Sequence, residues 1–269
     1  MSSADGDRRA RLPGMRPALV LAYHGLGRFP RALDPYNLML DPARFREQVQ
    51  ALRGRGYRFV SLAQIGAHLR HGTPPDGVCA LTFDDGTCDN LELLAPLLVE
   101  LELPASIFVC PGLLGSAHFA MPAQAGVRLM DAQQLRELAS VTRVEIGSHT
   151  NTHCDLSTAD GRQALAEMRS SKDALEQLLG RQVRTFAYPK CGYSPSCPDA
   201  AARAGYELAV TCEGRGGWRP FELARESITS LDGRLAFALK SRRLYLPLRN
   251  SPPGALARAL ARPVRHRTG

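Results

Sequence analysis

The chain has 269 residues, of which 44% are hydrophobic and 22% charged, a balance that suits one or two globular domains and excludes a disordered chain. Net charge is +8. Its nine basic residues after Asp232 (Arg234, Lys240, Arg242, Arg243, Arg249, Arg258, Arg262, Arg265 and Arg267) face no acidic one, so the remainder, with 25 basic against 26 acidic side chains, is nearly neutral and gives no reason to expect a nucleic-acid partner.

Residues 1–16 are polar and mixed in charge and read as a disordered segment, with the main domain over 17–240 and a basic tail over 241–269. The apolar run from Pro17 to Tyr23 is too short for a secretory signal and meets His24 without a cleavage site. Glu92, Glu100 and Glu102 break the best candidate for a membrane span. These features predict a cytoplasmic protein. The seven cysteines form no CxxC pair, which excludes a zinc ribbon and a dense disulfide framework and predicts mostly small buried thiols in a reducing compartment.

In chain order, β-rich runs fall at 18–23, 58–60, 78–83, 105–109, 144–146, 184–188, 208–211 and 223–228. Helical patterns lie between them. Asp41-Pro42 reads as an N-cap and first-turn proline opening a helix that ends near Gly54. Pro96 must kink or shorten the helix over 91–101. Asp131 caps AQQLRELAS, and Ser157 or Thr158 opens a helix running to Leu179 with Gly180 as its stop. Repeated β–α alternation predicts a parallel sheet, closed as a distorted (β/α) barrel of seven or eight strands, with an open doubly wound sheet as the alternative. No GxGxxG or GxxxxGK[ST] sequence supports nucleotide chemistry.

Active sites of parallel barrels lie at the C-terminal strand ends. Four such ends carry unusual polar residues: His24, Asp84-Asp85-Gly86, His149 with His153, and Tyr188-Pro189-Lys190. Alone, the first Asp-Asp-Gly is a turn, HxxxH an unrelated polar pair and Tyr-Pro a loop entry. Together, two imidazoles and a carboxylate make a three-ligand site with open positions for water and substrate.

LTFDDG, SHTNTH and FAYP resemble the motifs of the carbohydrate esterase family 4 polysaccharide deacetylases, the NodB-homology domain. LAYHG, FREQVQALRGRGYRFVSL and FELARESI are similar to the branch containing the poly-N-acetylglucosamine deacetylases of biofilm systems. The resemblance implies a distorted barrel, a divalent ion (commonly zinc) and hydrolysis of N-acetyl groups from an amino sugar. It assigns Asp85, His149 and His153 to the metal and Asp84 to the general base, with the Lys190 main chain as oxyanion donor. Tyr188, Pro189 and Lys190 would line the substrate.

Three positions depart from the family pattern. Ala187 stands where the third motif begins with arginine, Lys190-Cys191 replaces the usual aromatic and glycine, and the C-terminal L-x-H that supplies the general acid is missing. His24, in LAYH, offers an acid from another strand, as in a rotated order of the motifs. Arg225, in the last strand, replaces the motif arginine by holding Asp84, or else pairs at the surface with Glu222 or Glu226. The Lys190 ammonium is placed to meet an anionic substituent, or is a solvated loop lysine.

The expected function is metal-dependent removal of N-acetyl groups from an oligosaccharide, polysaccharide or lipid-linked amino sugar. The alternatives are a deformylase or deacylase of a lipid-linked sugar, and a non-catalytic carbohydrate-binding protein on the same barrel. In GALARALARPVRHRTG, Leu256 and Leu260 share one helical face and Arg258 and Arg262 another, before Pro263. That pattern predicts peripheral contact with an anionic membrane at the inner face, or a solvated tail without a partner.

Overall fold

A computed structural model describes residues 16–70, 75–212 and 216–251. The predicted N-terminal segment up to residue 15 and the amphipathic pattern around Leu256, Arg258, Leu260, Arg262 and Pro263 lie outside the described residues.

The strands are β1 (Leu19–Tyr23), β2 (Gly25–Leu26), β3 (Met39–Leu40), β4 (Arg58–Phe59), β5 (Val78–Phe83), β6 (Ala105–Val109), β7 (Val144–Ser148), β8 (Thr185–Ala187), β9 (Leu208–Cys212) and β10 (Leu223–Ser227). All sheet pairings between named strands are parallel, and the main sheet runs β1-β10-β9-β8-β7-β6-β5-β4. A second edge of β1 pairs with β5, from Leu19↔Cys79 to Tyr23↔Phe83. That pairing closes seven strands into a distorted barrel, with β4 as an extra strand outside it; β2 and β3 form a separate ribbon.

Strand side chains alternate with a period of two, so each apolar strand supplies both the interior and the helix-facing layer. Ala18, Val20, Val78, Ala80, Phe108, Ala187, Leu208, Val210 and Leu223 pack together in one cluster with Leu62 and Ile65. Leu19, Leu21, Tyr23, Cys79, Leu81, Phe83, Ile107 and Phe186 join the larger cluster beneath the helices. The alternation along β5 runs Val78, Ala80, Thr82, and its next step is Asp84.

The helices follow their local signals closely. α1 (Pro42–Gly54) starts where the Asp41 side chain accepts the Ala43 N–H; α2 spans Leu62–Arg70. Pro96 is accommodated by a π-helical turn, Asn90–Leu94, before α3 (Ala95–Glu100), because the proline lacks an N–H for a regular ladder. α4 (Ala132–Ser140) opens with a capping box of Asp131 and Gln134. α5 (Gly161–Leu179) ends on left-handed Gly180 but starts later than expected. Asp160, not Ser157 or Thr158, accepts the Arg162 and Gln163 N–H groups, while Ser157 turns back to Asp155. α6 (Cys197–Arg203), α7 (Arg234–Lys240) and α8 (Tyr245–Asn250) are the last helices among the described residues. Past residue 240 the chain still packs on the barrel, where the Tyr57 hydroxyl donates to the Ser241 carbonyl. No helix among the described residues is long and apolar enough to cross a membrane.

Candidate metal centre

Four loops at the C-terminal strand ends build the site. After β5 the backbone turns left-handed at Asp85 (φ 73°) and Gly86 (φ 73°). A Cβ at Gly86 would lie 2.9 Å from Val109 Cγ2, so this turn requires glycine. The reversal sends the Asp84 and Asp85 side chains different ways. After β7 two more left-handed residues, Thr150 and His153, fold the HxxxH segment back over the barrel. Glu167 on α5 holds that segment by accepting the Asn151 and Thr152 N–H groups. Residues in sparsely populated backbone regions gather where function needs an over-determined geometry.

Asp85, His149 and His153 bring three ligand atoms within 4.8 Å of one another. Asp85 Oδ1 lies 3.7 Å from His149 Nε2 and 3.5 Å from His153 Nε2. This oxygen is buried and has no hydrogen-bond partner, a costly state for a carboxylate unless a cation completes it. His149 Nδ1 lies 2.8 Å from the Ala187 carbonyl. A carbonyl only accepts, so the ring proton is on Nδ1 and the Nε2 lone pair is free. Burial, then the neighbouring His149, pushes the His153 pKa down to about 4, which keeps its imidazole neutral and able to ligate at neutral pH. The donor set of two nitrogens and one carboxylate fits a divalent transition ion.

Asp84 is buried beside this cluster and held by Arg225. The Arg225 guanidinium donates from Nη1 to Asp84 Oδ1 at 2.7 Å and from Nη2 to Oδ2 at 2.8 Å. Arg225 is 1% exposed, spans the barrel to Thr211 O and Thr82 Oγ1, and lies 5.6 Å above the Phe108 ring. Burial pushes the Asp84 carboxyl up, but Arg225, His149 and His24 outweigh it and hold the group below the ordinary carboxylate range. The surface pairing of Arg225 with Glu222 or Glu226 is not found: Glu222 meets Arg219 and Glu226 lies near Arg243.

His24 follows β1, and its carbonyl accepts from Asn90 Nδ2 at 3.2 Å. Its imidazole is close enough to lower the carboxyls of both Asp84 and Asp85. Lys190 (φ 53°) occupies the turn after β8, where the closing hydrogen bonds come from the Cys191 and Gly192 N–H groups. Its side chain is exposed, with Nζ 3.7 Å from Asp155 Oδ2, so an acidic neighbour already offsets its charge. Pro189 is buried. Tyr188, expected to line the substrate, has its ring fully buried against Phe186 and Tyr193, and its hydroxyl donates to the Phe221 carbonyl. An apolar ring one residue past a barrel strand is drawn into the helix-facing core before it can line a polar mouth.

Three features were not legible in the motifs. His118, in the loop after β6, contacts Asp85. Glu167 lies on a helix in a stretch with no motif. Cys191 is disulfide-bonded to Cys212, an exception to the expectation of mostly buried thiols. Pairing of β8 with β9 at Ala187↔Val210 carries the two chain ends side by side, with their Cα atoms 5.2 Å apart. The other five are free thiols.

A seven-stranded parallel barrel with a His/His/Asp cluster at its C-terminal mouth defines a parallel-barrel protein whose mouth could hold a metal ion. Residues 71–209 match the polysaccharide deacetylase family, and the chain belongs to it. It is 34% identical over 130 residues to the poly-beta-1,6-N-acetyl-D-glucosamine N-deacetylase of Escherichia coli (strain K12), covering 45% of this chain and 19% of that one. The chain spans 19–66% of the length of the first curated relatives it matches. Its fold resembles the Streptococcus pyogenes deacetylase PplD in complex with acetate (TM-score 0.70, 26% identity, 84% of this chain and 99% of that one). It also resembles IcaB from Ammonifex degensii (TM-score 0.69, 21% identity, 84% and 97%).

Proposed function

We propose that the protein is a metal-dependent hydrolase that removes N-acetyl groups from an amino sugar, in the manner of the poly-N-acetylglucosamine deacetylases. The observation that carries this reading is the buried, unpartnered Asp85 Oδ1 between two ligating imidazoles, beside an Asp84 kept ionised by Arg225. Asp85, His149 and His153 would hold a divalent ion, zinc by its donor set, which when bound would polarise the amide carbonyl and acidify the attacking water.

The chain's own groups do the rest. Asp84 takes the proton from the water, and the two Arg225 hydrogen bonds keep that carboxylate ionised and fixed in direction. His24, just past β1, whose imidazole acts on the Asp84 and Asp85 carboxyls, donates a proton to the leaving amine. The Lys190 N–H stabilises the developing oxyanion. Pro189 and Lys190 border the substrate, and the Lys190 ammonium, shared with Asp155, tunes the response to anionic substituents. Arg234, Lys240 and Arg243 pair with Glu47, Asp232 and Glu226, and the basic residues beyond them suit a lipid-linked substrate at an anionic inner leaflet, which co-sedimentation with anionic and zwitterionic liposomes tests.

Acetate release from N-acetylglucosamine oligomers by the zinc-loaded protein tests the main reading. The wild-type chain should release acetate, and Asp84→Asn should bind zinc normally yet be inactive, because an amide cannot accept the water's proton. Full activity in Asp84→Asn would remove the base; oligomer binding by the zinc-loaded wild type without acetate release would favour a carbohydrate-binding protein.

A further inference from the structure

Between β6 and α4 the chain makes an excursion that contains none of the motif residues, yet it reaches the metal centre. Residues 115–130 fold back on themselves: Ala117 bridges Arg128, the His118 N–H donates to the Val127 carbonyl at 2.9 Å, and the Leu129 N–H donates to the Ser116 carbonyl at 2.9 Å. The segment is tied to the Asp85-Gly86 turn by the Met130 N–H, which donates to the Gly86 carbonyl at 3.0 Å, and by the Thr87↔Leu129 bridge. Its position relative to Asp85 is therefore set by main-chain contacts.

His118, in the first arm of this segment, is 4% exposed. Its Nε2 lies 3.0 Å from Asp85 Oδ2, and its Nδ1 lies 3.1 Å from the Ala120 nitrogen. A backbone N–H can only donate, so Nδ1 is the bare nitrogen and Nε2 carries the proton. That proton is donated to Asp85. With its lone pair used by Ala120 and its N–H by Asp85, His118 has no nitrogen left to ligate a metal. The two Asp85 oxygens are thereby made different: Oδ2 is occupied, while Oδ1 is left bare toward His149 and His153. The next residue, Phe119, stacks on His118 at 4.6 Å and on His153 at 4.1 Å between ring centroids, so the same segment also braces a second ligand.

We propose that His118 is a positioning residue of the metal centre, a neutral imidazole that donates Nε2–H to the outer oxygen of Asp85 and aims the inner oxygen at the ion. The inference rests on the metal-site reading above and assigns a residue that lies in none of its motifs. Outer-shell donors to metal-binding carboxylates and imidazoles typically change affinity roughly 10- to 100-fold when lost.

The test is a chelator-competition titration of the metal-free full chain with Zn2+, together with the visible absorption spectrum of the Co2+-loaded protein. His118→Leu should bind Zn2+ roughly 10- to 100-fold more weakly and alter the Co2+ spectrum. In His118→Gln the amide nitrogen sits near the position of the lost Nε2 and can donate to the same oxygen, so most of the affinity should return. His118→Asn has the same group on a stem too short to reach, and should behave like His118→Leu. This pair keeps the test decisive if the leucine variant does not fold, since a purely structural role would not separate Gln from Asn. Equal Zn2+ affinity in all the variants and the wild type, or equal losses in Gln and Asn, would overturn the role of His118. A wild-type chain that binds no Zn2+ would overturn the metal centre itself and this inference with it.

Discussion

Arg225→Met removes a fully buried guanidinium while nearly preserving side-chain length. In the wild type, both Asp84 oxygens are bonded to it, at 2.7 and 2.8 Å, and the Thr211 carbonyl accepts its Nε–H at 3.0 Å. The variant leaves Asp84 buried with its strongest counter-charge gone, and breaking one side of such a pair costs about 3–5 kcal/mol. The loss depends on pH. Asp84 is held below the ordinary carboxylate range, so in the wild type its stabilisation is present above the unfolded pKa and is lost as pH falls through the folded one. Without Arg225, burial drives the carboxyl upward instead, and protonation relieves the orphaned charge on acidification. The stability deficit of the variant should thus be largest at pH 7 to 8 and shrink toward pH 5. Urea unfolding of metal-free protein at several pH values measures this directly. The acidic limb of the acetate-release profile should also move to higher pH by at least about one unit, equivalent to about 1.4 kcal/mol at the base. An unchanged unfolding midpoint at pH 7, with an unchanged acidic limb, would refute the coupling of Arg225 to Asp84.

Other outcomes follow from neighbouring geometry. His24→Ala should slow acetate release at least about tenfold while Zn2+ binding is retained, consistent with the usual size of general acid catalysis; a smaller effect would remove His24 from the proton path. Protein purified without reductant should show five free thiols when denatured, since Cys191 and Cys212 are paired, whereas seven would disprove the bond. Cys191→Ser should lower stability by about 3 kcal/mol, the loop-closure value for a separation of 21 residues. Burial pushes the Asp89 pKa up to about 6 against the hydrogen bond from the Leu26 N–H at 2.6 Å. A raised folded pKa means stability is lost as pH climbs from about 4 through 6. Because Asp89 is only partly covered from solvent, Asp89→Asn should be more stable than wild type by about 1–2 kcal/mol at pH 8, and no different at pH 4, in urea melts.

Local chemistry made much of the molecule legible. Short continuous β-rich runs marked each barrel strand to within a residue or two at most ends, because a strand buried on both faces is apolar along most of its length. Asp41-Pro42 and Asp131 announced their helices through caps that act within three residues. The candidate trio Asp85, His149 and His153 was readable from the family motifs at strand ends, which a parallel barrel delivers to one mouth whatever their separation in the chain. Even Arg225 was a candidate by its strand alone, although its partner lies 141 residues away.

What tertiary structure alone decided concerns direction and partnership across the barrel. The Asp160 and Ser157 side chains both suit a helix start, and only the path after His153 selects Asp160. Tyr188 sits inside a motif, but its ring turns into the helix-facing core and its hydroxyl finds Phe221. His118 carries no periodic or capping signal; it matters because main-chain bonds across residues 115–130 bring it to Asp85, 33 positions earlier. Cys191 and Cys212, among seven cysteines expected to be mostly buried thiols, carry no local pairing signal, and the β8–β9 register placed them together. A sequence records local propensities, which act over a few residues, whereas these contacts depend on strand register and on closure of the barrel through β1 and β5, which no local stretch of chain encodes.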